Sequence, residues 1–126
     1  MLVVGSVVIR GVRDLARQRA FWSSALDYVA RDPEEYNDDG VVLRPRVGNG
    51  PNLTLDTARA EPQAAPPRIH LDLYAADQHA EVKRLKDLGA TEVEWKPPEG
   101  ADFVVMADPE GNRFCVIDKA QMFSGD

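Results

Sequence analysis

A chain that reads strand, helix, strand, strand, strand twice over has few ways to fold. A strand-like run, "VVGSVVIR", leads into "RDLARQRAFWSSALDY" (13–28), and a second, "RIHLDLY", leads into "DQHAEVKRLKDLGA" (77–90). In the first helical stretch Leu15, Trp22, Ala25, Leu26 and Val29 recur at helical spacings with arginines opposite, and in the second Val82, Leu85 and Leu88 form one stripe. Asp77 suits an N-cap, and Gly89 suits the stop, because a short side-chain acceptor satisfies a first-turn amide and glycine takes a left-handed turn without penalty. After each helix come three strand-like runs separated by Gly, Pro, Asn and Asp, around 28–31, 41–46 and 52–57 and then around 91–95, 102–107 and 113–118.

Aligning the helix-start aspartates, Asp14 and Asp77, gives an offset of 77 − 14 = 63, half of the 126 residues. That offset sets Val7 opposite His70. Between the halves, "AEPQAAPP" (60–67) lacks periodicity and reads as a linker. The chain is therefore expected to be one α+β domain over 1–126, with one βαβββ module over about 1–59 and another over about 68–126. Each module has a helix for only one face of its sheet, so the other face needs a second sheet, a ligand or a partner chain.

Several function classes are excluded at this level. No apolar run approaches the roughly 20 residues that span a bilayer, and "MLVVGSVVIR" lacks a basic leader, so no membrane partner and no export signal are expected. A net charge of −6 and dispersed basic residues oppose nucleic-acid binding. One cysteine, Cys115, forms no intramolecular disulfide, which fits the cytoplasm.

Three quoted stretches carry a family likeness. "DLARQRAFWSSALDY", "RIHLDLYAADQHAEVKRLKDLGATEV" and "DFVVMADPEGNRFCVI" (102–117), in this order and spacing, resemble the glyoxalase/bleomycin-resistance/extradiol-dioxygenase superfamily, also called vicinal oxygen chelate. The likeness is closest to its glyoxalase-like branch, through "HLDL" and "DPEGN". It implies two βαβββ modules whose curled mixed sheets form a shared cleft, often completed in a homodimer. It also implies, for the enzymes, a divalent metal gripped at four positions, one on the first and one on the last strand of each module.

Carried over residue by residue, those four positions fall on Val7, on Leu53 or Leu55, on His70 and on Cys115. Only His70 matches the family's ligand type, so neither a metal nor another cofactor is expected. His70 and Asp72 share one side of their strand and supply two groups of a facial triad, but the only other histidine, His79, lies on the second helix. His70 reads either as an acid–base group or as a cleft residue that hydrogen-bonds a neighbour. Asp72 needs a partner, for which Arg44, Arg46 and Arg68 are the candidates.

Phe21 and Trp22 read as core, and Cys115, flanked by "RF" and "VI", as inert packing. Trp95, beside "KPPEGAD" (96–102), stands at a loop mouth where it covers a ligand or meets a subunit. Val7, Ile9, Leu53, Leu55 and Ile117, taken as facing inward, make the cleft apolar. No phosphate-cradling glycine motif and no serine–histidine–acid set emerges.

The sequence thus predicts a metal-free glyoxalase-like protein that sequesters a small, mostly apolar drug or metabolite. The predicted lining is Val7, Ile9, Leu53, Leu55, His70, Asp72, Trp95 and Cys115. The alternatives are a lyase or dioxygenase of the same superfamily, with a degenerate metal site or with His70 as acid–base, and an interaction module whose cleft is packed shut. The identity of the ligand stays open, as does pairing of modules within a chain or between chains.

Overall fold

The structure, a computed structural model, describes residues 1–33, 37–62, 66–94 and 96–123. The first module runs β1 (Ser6–Ile9), α1 (Leu15–Leu26), β2 (Tyr28–Ala30), β3 (Gly40–Pro45) and β4 (Asn52–Asp56). The second repeats this with β5 (Leu71–Ala75), α2 (Gln78–Leu88), β6 (Thr91–Glu92), β7 (Phe103–Ala107) and β8 (Arg113–Asp118), followed by a short 3-10 turn, Ala120–Phe123. Each module forms a four-stranded mixed sheet, in the orders β1-β4-β3-β2 and β5-β8-β7-β6. The first strand of each is parallel to the last, while the remaining neighbours are antiparallel. The fold is α+β, as the duplicated pattern predicts. Packing divides the chain into Met1–Pro62 and Gln63–Asp126, a boundary inside the predicted linker.

Both helices start on the predicted aspartates. The Asp14 side chain accepts from the Arg17 amide at 3.1 Å, and that of Asp77 accepts from the Ala80 amide at 3.0 Å. Each cap satisfies an amide that the first helical turn leaves without a partner, a contribution of about 1 kcal/mol. Their ends differ: α2 stops at Gly89 with φ 116°, whereas α1 stops at Asp27, a non-glycine residue at φ 57°. Aspartate tolerates that left-handed turn better than most side chains do.

Along β4, burial alternates. Leu53 and Leu55 are 2 % and 0 % exposed, while Asn52, Thr54 and Asp56 are half-buried. The register sets Leu53 between Val7 and Leu43, and Leu55 between Ile9 and Val41, so these side chains share one face. α1 packs on β2, β3 and β4 and brings Phe21 and Trp22, both buried, their rings edge to face at 5.0 Å. Gln18 is buried beside them, while Leu15, Ala25 and Leu26 of the predicted stripe are only half-buried. Gly40 allows β3 close to β4, since a Cβ there would lie 2.5 Å from the Leu55 carbonyl oxygen.

The second core repeats the scheme with Leu85 under α2 and with Ala75, Met106, Phe114 and Val116 on the sheet, all buried. Gln78 pins the start of α2 to the sheet by donating through Nε2 to the carbonyl oxygens of Asp102 and Val116, both at 2.9 Å. Between β7 and β8, the buried Asp108 closes the "DPEGN" turn. Its Oδ1 accepts from the amides of Glu110 and Asn112, and its Oδ2 from Asn112 Nδ2, each at 2.9 Å. Gly111 takes φ 91° there, a region open to glycine at little cost.

Candidate functional site

One sheet face in each module lies away from its helix, and there the two modules differ. In the first, that open face carries Ser6 and Val8 of β1, Val42 and Arg44 of β3, and Asn52 and Thr54 of β4. Val8 is 50 % exposed, and Ser6 Oγ and Thr54 Oγ1 share a hydrogen bond at 2.7 Å.

This corrects part of the predicted lining. Val7, Ile9, Leu53 and Leu55 point the other way, Leu53 and Leu55 buried in the core and Val7 and Ile9 half-buried beside them. The cause is the connection before the helix. Five positions separate Ile9 from Asp14 and two separate Ala75 from Asp77, a difference of three, and an odd difference exchanges the faces of a strand. Aligned on their caps the modules match; aligned on their first strands at the same offset they do not. The open-face place that faces Thr54 across the first sheet is therefore served by Ser6 and Val8, not Val7. The signal was in the strand itself: in "NLTLD" the leucines alternate with polar residues, and the apolar set of a half-covered sheet belongs under the helix.

In the second module the same rule turns Leu71, Leu73 and Ala75 toward α2 and leaves His70, Asp72 and Tyr74 on the open face. Asp72 pairs with Cys115 on β8, and Cys115 pairs with Val105 on β7. Ile117 and Phe103, themselves a register pair, extend the face as half-buried apolar neighbours. His70 Nε2–H donates to Asp72 Oδ1 at 3.0 Å, with the two side chains 40 % and 50 % exposed. His70 is thus Asp72's partner. Arg44 instead donates to the Pro45 carbonyl and Arg46 pairs with Asp27, while Arg68 is exposed outside any strand.

Cys115 is only 8 % exposed, on the central pair of its sheet. Burial pushes its thiol pKa up and the negative Asp72 beside it adds to the rise, so at neutral pH it is a thiol. That is the opposite of the electropositive setting that makes a cysteine nucleophilic. One donor atom from each of His70, Asp72 and Cys115 lies within 4.8 Å of the others. The sequence reading set His70 and Asp72 on one side of their strand and read Cys115 as packing; the structure brings Cys115 beside that pair.

His79 lies exposed in the first turn of α2. Trp95 falls outside the described residues. A separate groove of about 450 Å³ runs between α1 and residues 37–41, past Leu15, Arg19, Ser23 and Asp38, and includes none of the predicted site residues.

The divalent metal that the superfamily resemblance implies is a test of these donors. The first module offers hydroxyls, Ser6 and Thr54, already bonded to each other. Neutral hydroxyls add no charge to a cation site, and the second module offers one imidazole, one carboxylate and one thiol. A hard ion that takes six or more oxygen ligands is not matched by that set. The four-position arrangement shared between modules does not fit this chain.

Comparison with known proteins agrees with the duplicated fold. The family described as "Glyoxalase-like domain" matches residues 6–117. No curated protein matches the sequence. Among solved structures, a glyoxalase/bleomycin resistance protein/dioxygenase family enzyme from Burkholderia phytofirmans PsJN is 14% identical with TM-score 0.67, over 91% of this chain and 97% of that one. An antibiotic binding protein from Streptomyces sp. CB03234 is 18% identical with TM-score 0.65, over 94% and 96%. The trypanothione-dependent glyoxalase I of Leishmania major is 18% identical with TM-score 0.64, over 99% and 92%. At these identities the likeness is one of fold.

Proposed function

The chain belongs to the glyoxalase-like domain family, and from that footing we propose that it binds a small, mostly apolar organic molecule on the open face of its second module. The observation that carries this reading is the His70–Asp72 pair, half-exposed and joined at 3.0 Å on a face that also carries Tyr74, Phe103, Val105, Cys115 and Ile117. A few convergent polar groups in apolar surroundings are what orient a small ligand whose burial supplies the affinity. Recognition of this kind needs no chelated cation. The Streptomyces relative in fold, an antibiotic binding protein, supports sequestration as the purpose.

The test is thermal melting of chelator-treated protein across a library of aromatic and metabolite compounds. Binding at a hundredfold excess over Kd adds about 2.7 kcal/mol of stability, a rise of several degrees in Tm. At least one compound is expected to give it, and His70→Ala is expected to remove most of the shift. A library without any stabilising compound contradicts the proposal.

The same pair favours a second reading, in which His70 is an acid–base catalyst whose tautomer Asp72 fixes. Turnover abolished by His70→Ala in a variant that still binds its ligand distinguishes it from sequestration. Homodimerisation and a cytoplasmic setting complete the proposal. The first follows from the superfamily resemblance and the second from a free, buried thiol. No helix among the described residues is long and apolar enough to cross a membrane.

A further inference from the structure

The chain has four asparagines, Asn37, Asn49, Asn52 and Asn112, and the fold treats them differently. Asn37 accepts through its side-chain oxygen from the Asp39 amide at 2.6 Å. Asn52 lies half-buried in β4, with its own amide donating to the Gly5 carbonyl at 2.8 Å. Asn112 is held in the "DPEGN" turn, where its amide and its Nδ2 each donate to the Asp108 carboxylate at 2.9 Å. Asn49 has no such restraint. It is exposed in the loop between β3 and β4, flanked by Gly48 and Gly50, and among the described residues nothing bonds its side chain or the Gly50 amide. We infer that Asn49 is a site of spontaneous deamidation, the point at which this chain modifies its own covalent structure.

The chemistry needs only these two residues and solvent water. The Gly50 backbone nitrogen, on losing its proton to hydroxide, attacks the side-chain carbonyl carbon of Asn49. A new carbon–nitrogen bond closes a cyclic succinimide, the bond from that carbon to Nδ2 breaks, and the nitrogen takes a proton from solvent and leaves as ammonia. Water then opens the ring. Attack at the side-chain carbonyl gives aspartate, and attack at the main-chain carbonyl routes the backbone through the side chain as isoaspartate. No oxidant or reductant takes part.

Three features of the loop favour the ring closure. Glycine has no Cβ to crowd the attacking nitrogen, and glycine on both sides of Asn49 gives the backbone the rotation that closure requires, Gly48 already standing at φ 79°. The Gly50 amide is not committed to a sheet or turn, whereas most backbone amides of a fold are. Asp39–Gly40 offers the acid counterpart of the same dipeptide and shows the opposite case. Gly40 is paired with Asp56 inside β3, and so close to β4 that a Cβ there would lie 2.5 Å from the Leu55 carbonyl oxygen. The product makes the formal charge one unit more negative than −6. As isoaspartate it also lengthens the main chain just before Pro51, whose carbonyl accepts from the Tyr28 hydroxyl at 2.8 Å and so ties the loop to β2. This inference goes beyond the organic-ligand reading and does not depend on it, since it concerns the first module alone.

The experiment is incubation of the intact, folded chain at mildly alkaline pH and body temperature, followed by anion exchange and peptide mass spectrometry. A more negative species is expected to accumulate, faster as the pH rises, with both aspartate and isoaspartate at position 49 and the other three asparagines still amides. Gly50→Ala is expected to lose most of this species while Asn49 stays in place. A Cβ at position 50 meets Pro45 Cγ at 3.4 Å and Tyr28 Oη at 3.8 Å, ordinary contacts that leave the fold intact. Asn49→Gln is expected to lose the species altogether, because the longer side chain would have to close a larger ring. An Asn49 that stays an amide overturns the inference, as does earlier conversion of Asn37, Asn52 or Asn112 in the folded chain. So does an undiminished yield in Gly50→Ala, or a product containing aspartate without isoaspartate, which would mean direct hydrolysis rather than attack by the backbone.

Discussion

The two modules share a scaffold and differ in what they do with its free side. Each has an aspartate cap, a helix over a mixed sheet, and a parallel pairing of first and last strands. On the open face, however, the first module joins Ser6 to Thr54, two hydroxyls that satisfy each other at 2.7 Å. The second gathers an imidazole, a carboxylate and a thiol. The covered face is held to apolar residues by the cost of burying polar groups, so both copies look alike there. The open face is under no such demand from folding, and it is where chemistry can differ between copies.

The largest expected effects test the division into covered and open faces. Leu55→Ala in the first core and Phe114→Ala in the second, both at fully buried positions, are each expected to cost about 2–5 kcal/mol in urea unfolding, through lost burial and the cavity left behind. Thr54→Ala, one residue away but on the other side of β4, is expected to cost well under half as much. Equal losses at Thr54 and Leu55 would mean that the faces of the first sheet have been assigned the wrong way round.

The architecture was legible in the sequence because it is written in features that act locally. The "DPEGN" turn, the capping aspartates and the stop at Gly89 each do their work within a few residues, so spacing alone locates them. Which way β1 faces was not legible from the repeat. A single offset taken from the helix caps was carried back across a connection that differs between modules, and a strand reverses its faces with each single-residue slip. The predicted lining therefore failed at Val7, Ile9, Leu53 and Leu55, while His70, Asp72 and Cys115 come together on the open face of the second module. The arginines proposed for Asp72 failed for another reason: the alternation that brings His70 to the same side makes it the hydrogen-bond partner of Asp72, at 3.0 Å.

A smaller effect sharpens the contrast by probing Cys115, the buried thiol beside Asp72 on the second sheet. Burial raises its pKa most and the Asp72 charge raises it further. Asp72→Asn removes only the second cause, so the thiol pKa falls toward its ordinary value and the thiolate fraction at pH 8 rises. Alkylation by iodoacetamide at that pH is expected to quicken, since the thiolate is the reacting form. An unchanged or slower rate would show that the carboxylate exerts no electrostatic hold on the thiol.

The measurement closest to the central claim, that recognition belongs to the second module's open face, is a pair of amide correlation NMR spectra of the intact chain. They are recorded with and without the compound that stabilises it most in the melting screen. The expected shift changes concentrate at His70, Asp72, Tyr74, Val105, Cys115 and Ile117. Changes concentrated instead at Ser6, Val8 and Thr54, or along the groove beside α1, would contradict the account.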